Sequence, residues 1–242
     1  RLTTLMGAFE AVDDWETALF EAGVRREQMN DCPGIQCVRR KHETGYDYFV
    51  FNDSDHVVDE FFPLSVAFCD ATIMDPMSGQ IGRAQTRQDR ENRVRLQLDP
   101  GASVILRTFS RKKSGALPWR YVQYEAPQHV LRGRWQVEFI EGGPELPASY
   151  ETDNHSSWTK WCSGAARFAG TAVYRLCFDA PFKCEACLLD LGRVHSSARI
   201  HINDKYIGIL IGPAYRIRLD HLKPTGNLLE VEVTNLAANR IR

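Results

Sequence analysis

The stretch Asn227-Leu228-Leu229-Glu230-Val231-Glu232-Val233-Thr234 decides the fold: from Leu229 onward, apolar and polar residues alternate strictly. A period of two puts Leu229, Val231 and Val233 on one face and the two glutamates on the other, as in a strand with one wet side. The same pattern recurs on working back from it. Tyr215, Ile217 and Leu219 alternate with Arg216, Arg218 and Asp220, and Ala198, Ile200 and Ile202 alternate with Arg199, His201 and Asn203. Asn203-Asp204 reads as a tight turn into Tyr206-Ile207-Gly208. Ala172, Tyr174, Leu176 and Phe178 mark one face of a further strand, and Trp135, Val137 and Phe139 mark another before Gly142-Gly143-Pro144 turns the chain. Short strands divided by Gly and Pro turns predict an antiparallel β-sandwich from about Gln128 to Arg242.

The first half repeats the theme after a helical start. Trp15, Ala18, Leu19 and Ala22 recur at helical spacing over Asp14–Ala22, with Asp13 and Glu16 spaced as a capping box and Gly23 placed to stop the helix. Beyond Cys32-Pro33-Gly34 the period becomes two. Tyr46, Tyr48 and Val50 alternate with Asp47, Phe49 and Phe51, and a second strand is expected over Val66 and Phe68, ending at the Asp75-Pro76-Met77-Ser78-Gly79 loop. Val94, Leu96 and Leu98 form the next strand, Asp99-Pro100-Gly101 turns, and Ser103 to Phe109 returns. Ser110 to Gly115, followed by Leu117-Pro118, reads as a link. The expected organisation is a helical remnant of a preceding domain over residues 1–34, a β-sandwich over 35–115 and a second sandwich over 116–242.

Composition narrows the function classes. Of 242 residues, 43% are hydrophobic and 25% charged, the profile of a globular chain able to bury a core. The formal net charge of −1 gives no global attraction to nucleic acid or to an anionic membrane, and no apolar run approaches membrane-spanning length. Neither partner is expected. The sequence begins at Arg1 and stops at Ile241-Arg242, and both ends read as cuts in a longer polypeptide. Seven cysteines, an odd number, read as free thiols and not as a disulfide scaffold, although sequence leaves a Cys32–Cys37 bridge open.

The residues offer little catalytic chemistry. No G-x-S-x-G, phosphate loop or dinucleotide fingerprint is present. Cys184 and Cys187 with His195 and His201 supply four zinc-ligand types, but residues three apart on a strand point to opposite faces, so no metal is expected. Asp- and Asn-rich loops carry no contiguous calcium pattern, and no cofactor is predicted. Glycoside hydrolysis needs two carboxylates facing a sugar-sized cleft. Glu138, Glu141, Glu145, Glu151 and Asp153 instead read as solvated surface. Among the aromatics that could lie against a sugar ring, Trp135 and Trp158 are assigned to the core, which leaves Trp161 and Tyr215.

A family resemblance joins these strands. Leu131-x-Gly133-x-Trp135-x-Val137-x-Phe139, Gly142-Gly143-Pro144-Glu145-Leu146-Pro147, Phe168-x-Gly170-Thr171-Ala172-x-Tyr174, Leu189-Asp190-Leu191-Gly192-x-Val194, Ile202-Asn203-Asp204-Lys205-Tyr206-Ile207-Gly208 and the run Asn227–Asn235 resemble the C-terminal region of bacterial α-L-rhamnosidase-like glycoside hydrolases. The resemblance implies a galactose-binding-like jelly roll of the family 2 sugar-binding type. It also implies a parent enzyme that is periplasmic or extracellular, with its catalytic acids in an upstream domain absent from this chain. Asn203-Asp204 stands where that hairpin usually has Asn-Gly. The first function expected is therefore a non-catalytic accessory region acting with the upstream catalytic domain on plant or microbial polysaccharide. The alternatives are an autonomous carbohydrate-binding module and a ligand-free scaffold. For a bound sugar, the residues to examine are Trp161, Tyr215, Arg216, Asn235, Asn239 and Arg240, whose aromatic, amide and guanidinium groups suit a hydroxylated ligand. A large apolar patch would mark a lost domain interface, and a flat aromatic strip would mark sugar binding.

Overall fold

The computed structural model describes residues 14–88, 91–111, 114–123, 128–153, 156–181, 186–212 and 214–241. It is mostly β. Helix α1 (Trp15–Glu21) leads into β1 (Ile35–His42), β2 (Gly45–Asn52), β3 (Val58–Pro63), β4 (Asp70–Met74), β5 (Ile81–Arg83), β6 (Thr86–Gln88), β7 (Asn92–Leu98) and β8 (Ser103–Phe109). The second half holds β9 (Trp135–Gly143), β10 (Tyr150–Thr152), the one-turn helix α2 (Ser163–Ala166), β11 (Ala169–Phe178), β12 (Ala186–Asp190), β13 (Ser197–Ile202), β14 (Lys205–Ile211), β15 (Arg216–Asp220) and β16 (Asn227–Thr234). Among the described residues every paired strand is antiparallel.

Two sandwiches result. In the first, a sheet ordered β1-β2-β8-β4-β5 faces one ordered β3-β7-β6, and Tyr48, Val50, Ile73, Val94, Leu96 and Leu106 close the core between them. In the second, β10-β9-β11-β16-β13-β14 faces the pair β12-β15. Trp135, Leu176, Ile200 and Leu229 fill one side of that core, and Phe139, Trp158 and Phe168 fill the other. The alternating positions read from sequence in β2, β7, β9, β11, β13 and β16 are the ones that point inward.

Local departures have local causes. The helix cap is Asp14, whose carboxylate accepts the Thr17 N–H at 3.1 Å, one position later than the Asp13–Glu16 reading; Asp13 lies outside the described residues. Gly23, at φ +80°, ends the helix as expected, with Val24 N–H donating back to Leu19 O. The strand expected at Val66 and Phe68 begins instead at Asp70, and those two residues lie in the connection before it. Ala71 and Ile73 alternate into the core there, and the Asp70 carboxylate anchors Ser114 N–H and Oγ. Strand β3 has no clean alternation to announce it, because Asp59-Glu60 and Phe61-Phe62 are doublets. The Asp99-Pro100-Gly101 turn does not fold β8 back beside β7. It carries the chain across to the opposite sheet. Asn203 and Asp204 both take φ > 0 (52° and 64°), the geometry of the tight hairpin, without a glycine.

Two glycines allow a close crossing in the second sandwich. A Cβ on Gly142 would run into Ala169 O, and one on Gly170 into Glu141 O, where the β9–β11 register shifts between Thr171 and Ala172. Between the helix and β1, Met29 is fully buried in the first core, and the buried Glu27 carboxylate holds Arg39 at 2.7 Å and the Ser65 N–H at 2.8 Å. The link also lies along the first sandwich. Trp119 N–H donates to Arg83 O, Tyr121 Oη bridges Gln85 N–H and Arg95 O, and Val122 N–H reaches Gln97 Oε1.

Candidate functional site

The seam between the sandwiches is built from opposite charges. Strand β15 turns Arg216 outward, and its Nη1 reaches Asp99 in the β7–β8 turn at 2.5 Å while Nε holds Asp190 of the neighbouring β12 at 2.7 Å. Arg120 in the link pairs with Asp220 at 3.2 Å, and Asp220 also takes Arg218 Nε at 2.7 Å. The outer face of the β12–β15 pair is thus tied to the first sandwich at two points. A guanidinium suits this place because its fork can engage two carboxylates at once.

The outer face of the six-stranded sheet is mixed, with most of its positions polar. Its pairing register lines up Glu141, Thr171, Thr234, Ser197 and Ile211 in one row and Glu138, Val173, Glu232, Arg199 and Ile209 in the next. The charges are matched: Arg175 bridges Glu138 and Glu230 at 2.7 and 2.8 Å, and Arg199 holds Glu232 at 2.8 Å. A shallow cleft of about 290 Å³ lies over Thr171, Thr234 and Arg199, with no aromatic ring in its lining. A larger open cleft of about 690 Å³ runs between Val24-Arg25 and the Val66–Cys69 loop. Arg39 in its wall is already committed to Glu27 and lies over the Tyr46 ring.

The outer face of the five-stranded sheet is different. Register places Val38, Phe49, Ile105, Met74 and Ile81 opposite one another, one on each of the five strands, so an unbroken apolar row crosses the whole sheet. Val38 is 70%, Phe49 49% and Ile81 63% exposed. The row beside it reads Arg40, Asp47, Arg107, Thr72 and Arg83. Arg107 forks onto Asp47 at 2.6 and 3.0 Å, and that hydrogen bond holds the Asp47 carboxyl below the usual carboxylate range. Sequence reading missed this row as a feature. The signal was present in Tyr46-Asp47-Tyr48-Phe49-Val50-Phe51, which is apolar on both phases and so has two faces suited to cover.

The residues singled out from sequence are placed as follows. Trp161 is half-buried, donates from Nε1 to Ser156 Oγ at 3.0 Å and stacks on Tyr150 with centroids 4.8 Å apart. Tyr215 Oη donates to Ser196 O at 2.8 Å, and Ser196 N–H donates to Thr234 O, which brings Tyr215 toward the end of β16. There Asn235 accepts the Gly170 N–H at 2.8 Å and donates to Phe168 O at 2.9 Å, closing β11 onto β16. Arg216 lies in the seam. Asn239 and Arg240 follow in a short 3-10 turn, Ala237–Arg240, with their side chains outside the described residues. The structure therefore gathers Tyr215 and Asn235 at one end of the sandwich, places Arg216 in the seam and sets Trp161 against Tyr150 beside β10.

The remaining chemistry is sparse. Trp135 and Trp158 are buried, as expected, and Glu138, Glu141, Glu145, Glu151 and Asp153 are exposed. Hydrogen bonds from Arg107 and Arg95 pull the Asp47 and Asp59 carboxyls below the usual carboxylate range. A general acid for glycoside cleavage needs the reverse. Cys32 and Cys37 are free thiols, and burial pushes the Cys37 thiol up to about 12. Cys184 lies outside the described residues. Among the described residues no group of three or more His, Cys, Asp or Glu side chains is arranged to hold a metal ion, and no helix is long and apolar enough to cross a membrane.

Comparison with solved structures gives an informative likeness. The chain superposes on a solved structure from Novosphingobium sp. PP1Y with a TM-score of 0.75 and 26% identity, over 96% of this chain and 23% of that one. That neighbour is a rhamnosidase. Both sandwiches and the seam fall within the aligned span, since nearly the whole of this chain is covered, yet the chain spans under a quarter of the rhamnosidase's length. A likeness to an anti-sigma factor domain-containing protein, at TM-score 0.31 and 13% identity over 84% of this chain and 82% of that one, carries no argument. No family model matches the sequence, and no curated protein matches it.

Proposed function

We propose that this chain is a non-catalytic accessory region of an α-L-rhamnosidase-like glycoside hydrolase acting on plant or microbial polysaccharide. The observation that carries the reading is the rhamnosidase likeness, which takes in 96% of this chain but only 23% of the larger one. Two further features support it. The buried carboxylates, Glu27 and Asp70, are spent on Arg39 and Ser114, the others described are partly or fully exposed, and the seam joins the two sandwiches into a supporting body. The test is to express the natural reading frame around this segment at full length. Hydrolysis of an aryl α-L-rhamnoside by that product is the expected result. A full-length product without glycosidase activity overturns the proposal.

Sugar contact within the region is a second reading, and one observation favours it. Tyr150, 43% exposed, stacks on Trp161 with an interplanar angle of 17°, giving a small aromatic surface beside β10. Calorimetric titration with rhamnose-containing oligosaccharides tests it, and no heat at millimolar ligand counts against it.

A further inference from the structure

We infer that the outer face of the five-stranded sheet is the surface by which this region docks onto the rest of its own polypeptide. The inference rests on the accessory-region reading and adds to it where the contact lies. The apolar row Val38-Phe49-Ile105-Met74-Ile81 spans all five strands, about 19 Å from first to last at the usual strand spacing. Antiparallel sheets that face water carry mostly polar residues on that side, and on the six-stranded sheet glutamates, threonines and Arg199 interrupt the apolar Val173, Ile209 and Ile211 so that no apolar row crosses it. This sheet has apolar residues on both faces. At the β5 edge the link runs parallel to the strand, with Pro118 opposite Arg83 and the exposed Leu117 giving its carbonyl to the Arg83 N–H at 2.7 Å.

The flank of the row tells what chemistry the occupant carries. Arg107 forks onto Asp47, which Arg40 faces across the register without a hydrogen bond, and Arg83 at the far end of the row has no hydrogen-bonded or ion-paired side-chain partner among the described residues. The surface thus presents an apolar centre with a guanidinium at each end, which fits an apolar patch rimmed by carboxylates. The occupant is covalently joined polypeptide and not a second copy, because more than three quarters of the rhamnosidase neighbour lies outside the part this chain matches. Linkage makes such docking effectively intramolecular, so a moderate patch suffices.

Covalent side-chain footprinting tests this, comparing the 242-residue chain with the full-length product of its reading frame. Labelling at Val38, Phe49 and Ile81 falls several-fold in the longer product. Phe49→Asp restores it at Val38 and Ile81 there, and leaves the melting temperature of the 242-residue chain unchanged. Equal labelling in the two proteins overturns the inference. So does protection that grows with the concentration of the shorter chain, which would make a second copy the occupant. Rhamnoside turnover is read on the same full-length sample. Turnover without protection removes only the docking surface, and protection without turnover removes the glycosidase reading.

Discussion

Arg216 and Asp99 are separated by 117 positions in sequence and meet at 2.5 Å, and through them the second sandwich grips the turn of the first. Both side chains are largely shielded, at 30% and 17% exposure, and Asp190 completes the guanidinium's fork. Exposed pairs contribute little, but a shared, partly shielded network is worth more. Arg216→Ala is expected to lower stability by about 1 kcal/mol and to speed proteolysis within residues 110–130. Arg216→Lys does not restore the wild-type cleavage rate, since an ammonium cannot fork between two carboxylates. Timed limited proteolysis of the three proteins checks this.

Asn52 anchors the same turn from inside. Fully buried, its amide donates to His56 O, Leu98 O and Asp99 O, and its carbonyl accepts Ser54 N–H and Oγ. Asn52→Ala strands those carbonyls and costs about 1–3 kcal/mol. Chemical denaturation monitored by circular dichroism reads the loss. Combined with Arg216→Ala the effect is expected to be less than additive, because each change loosens the same Asp99 turn.

Trp158 is the keystone of the second core. It lies edge-on to Phe139 at 5.6 Å and Phe168 at 6.1 Å, and stacks on Tyr174. Trp158→Ala leaves a cavity and costs about 3–5 kcal/mol. Calorimetry is expected to show the second sandwich melting at lower temperature, with the first sandwich less affected.

The thiols and phenols set the alkaline limit. Burial raises the Cys37 thiol from 9.0 to about 12, and raises the Tyr48 and Tyr174 phenols as well. Unfolding releases these protons more readily than the folded chain does. Their stabilising contribution is therefore complete below pH 9 and is lost as pH climbs toward 12. Asp47 and Asp59 act oppositely: their depressed pKa values stabilise above the usual carboxylate range, and that share is lost on acidification. Melting temperature against pH checks both limbs. At pH 8, iodoacetamide should modify the exposed Cys69 and Cys162 well before Cys37.

How much of this was legible depends on range. The inward positions of β7, β13 and β16 followed from alternation, because period two is a local property of the chain. Strand β3 was hidden by its doublets, and the switch of β8 to the opposite sheet was hidden because a Pro-Gly turn fixes a bend but not a destination. The site was less legible for a related reason. Tyr215, Arg216 and Asn235 carry the right functional groups for a hydroxylated ligand, yet their partners Ser196, Asp99 and Gly170 lie 19 to 117 positions away. The apolar row escaped notice because it exists only across five strands, and no single segment displays it.

As proposed, this region belongs to an α-L-rhamnosidase-like enzyme and does not perform its chemistry. The direct measurement is turnover of an aryl α-L-rhamnoside by the 242-residue chain, purified and shown by circular dichroism to be folded. Release no faster than in buffer is expected, alongside rapid release by the full-length product at equal molarity. Saturable turnover by the shorter chain, abolished when one of its glutamates is changed to glutamine, would contradict it.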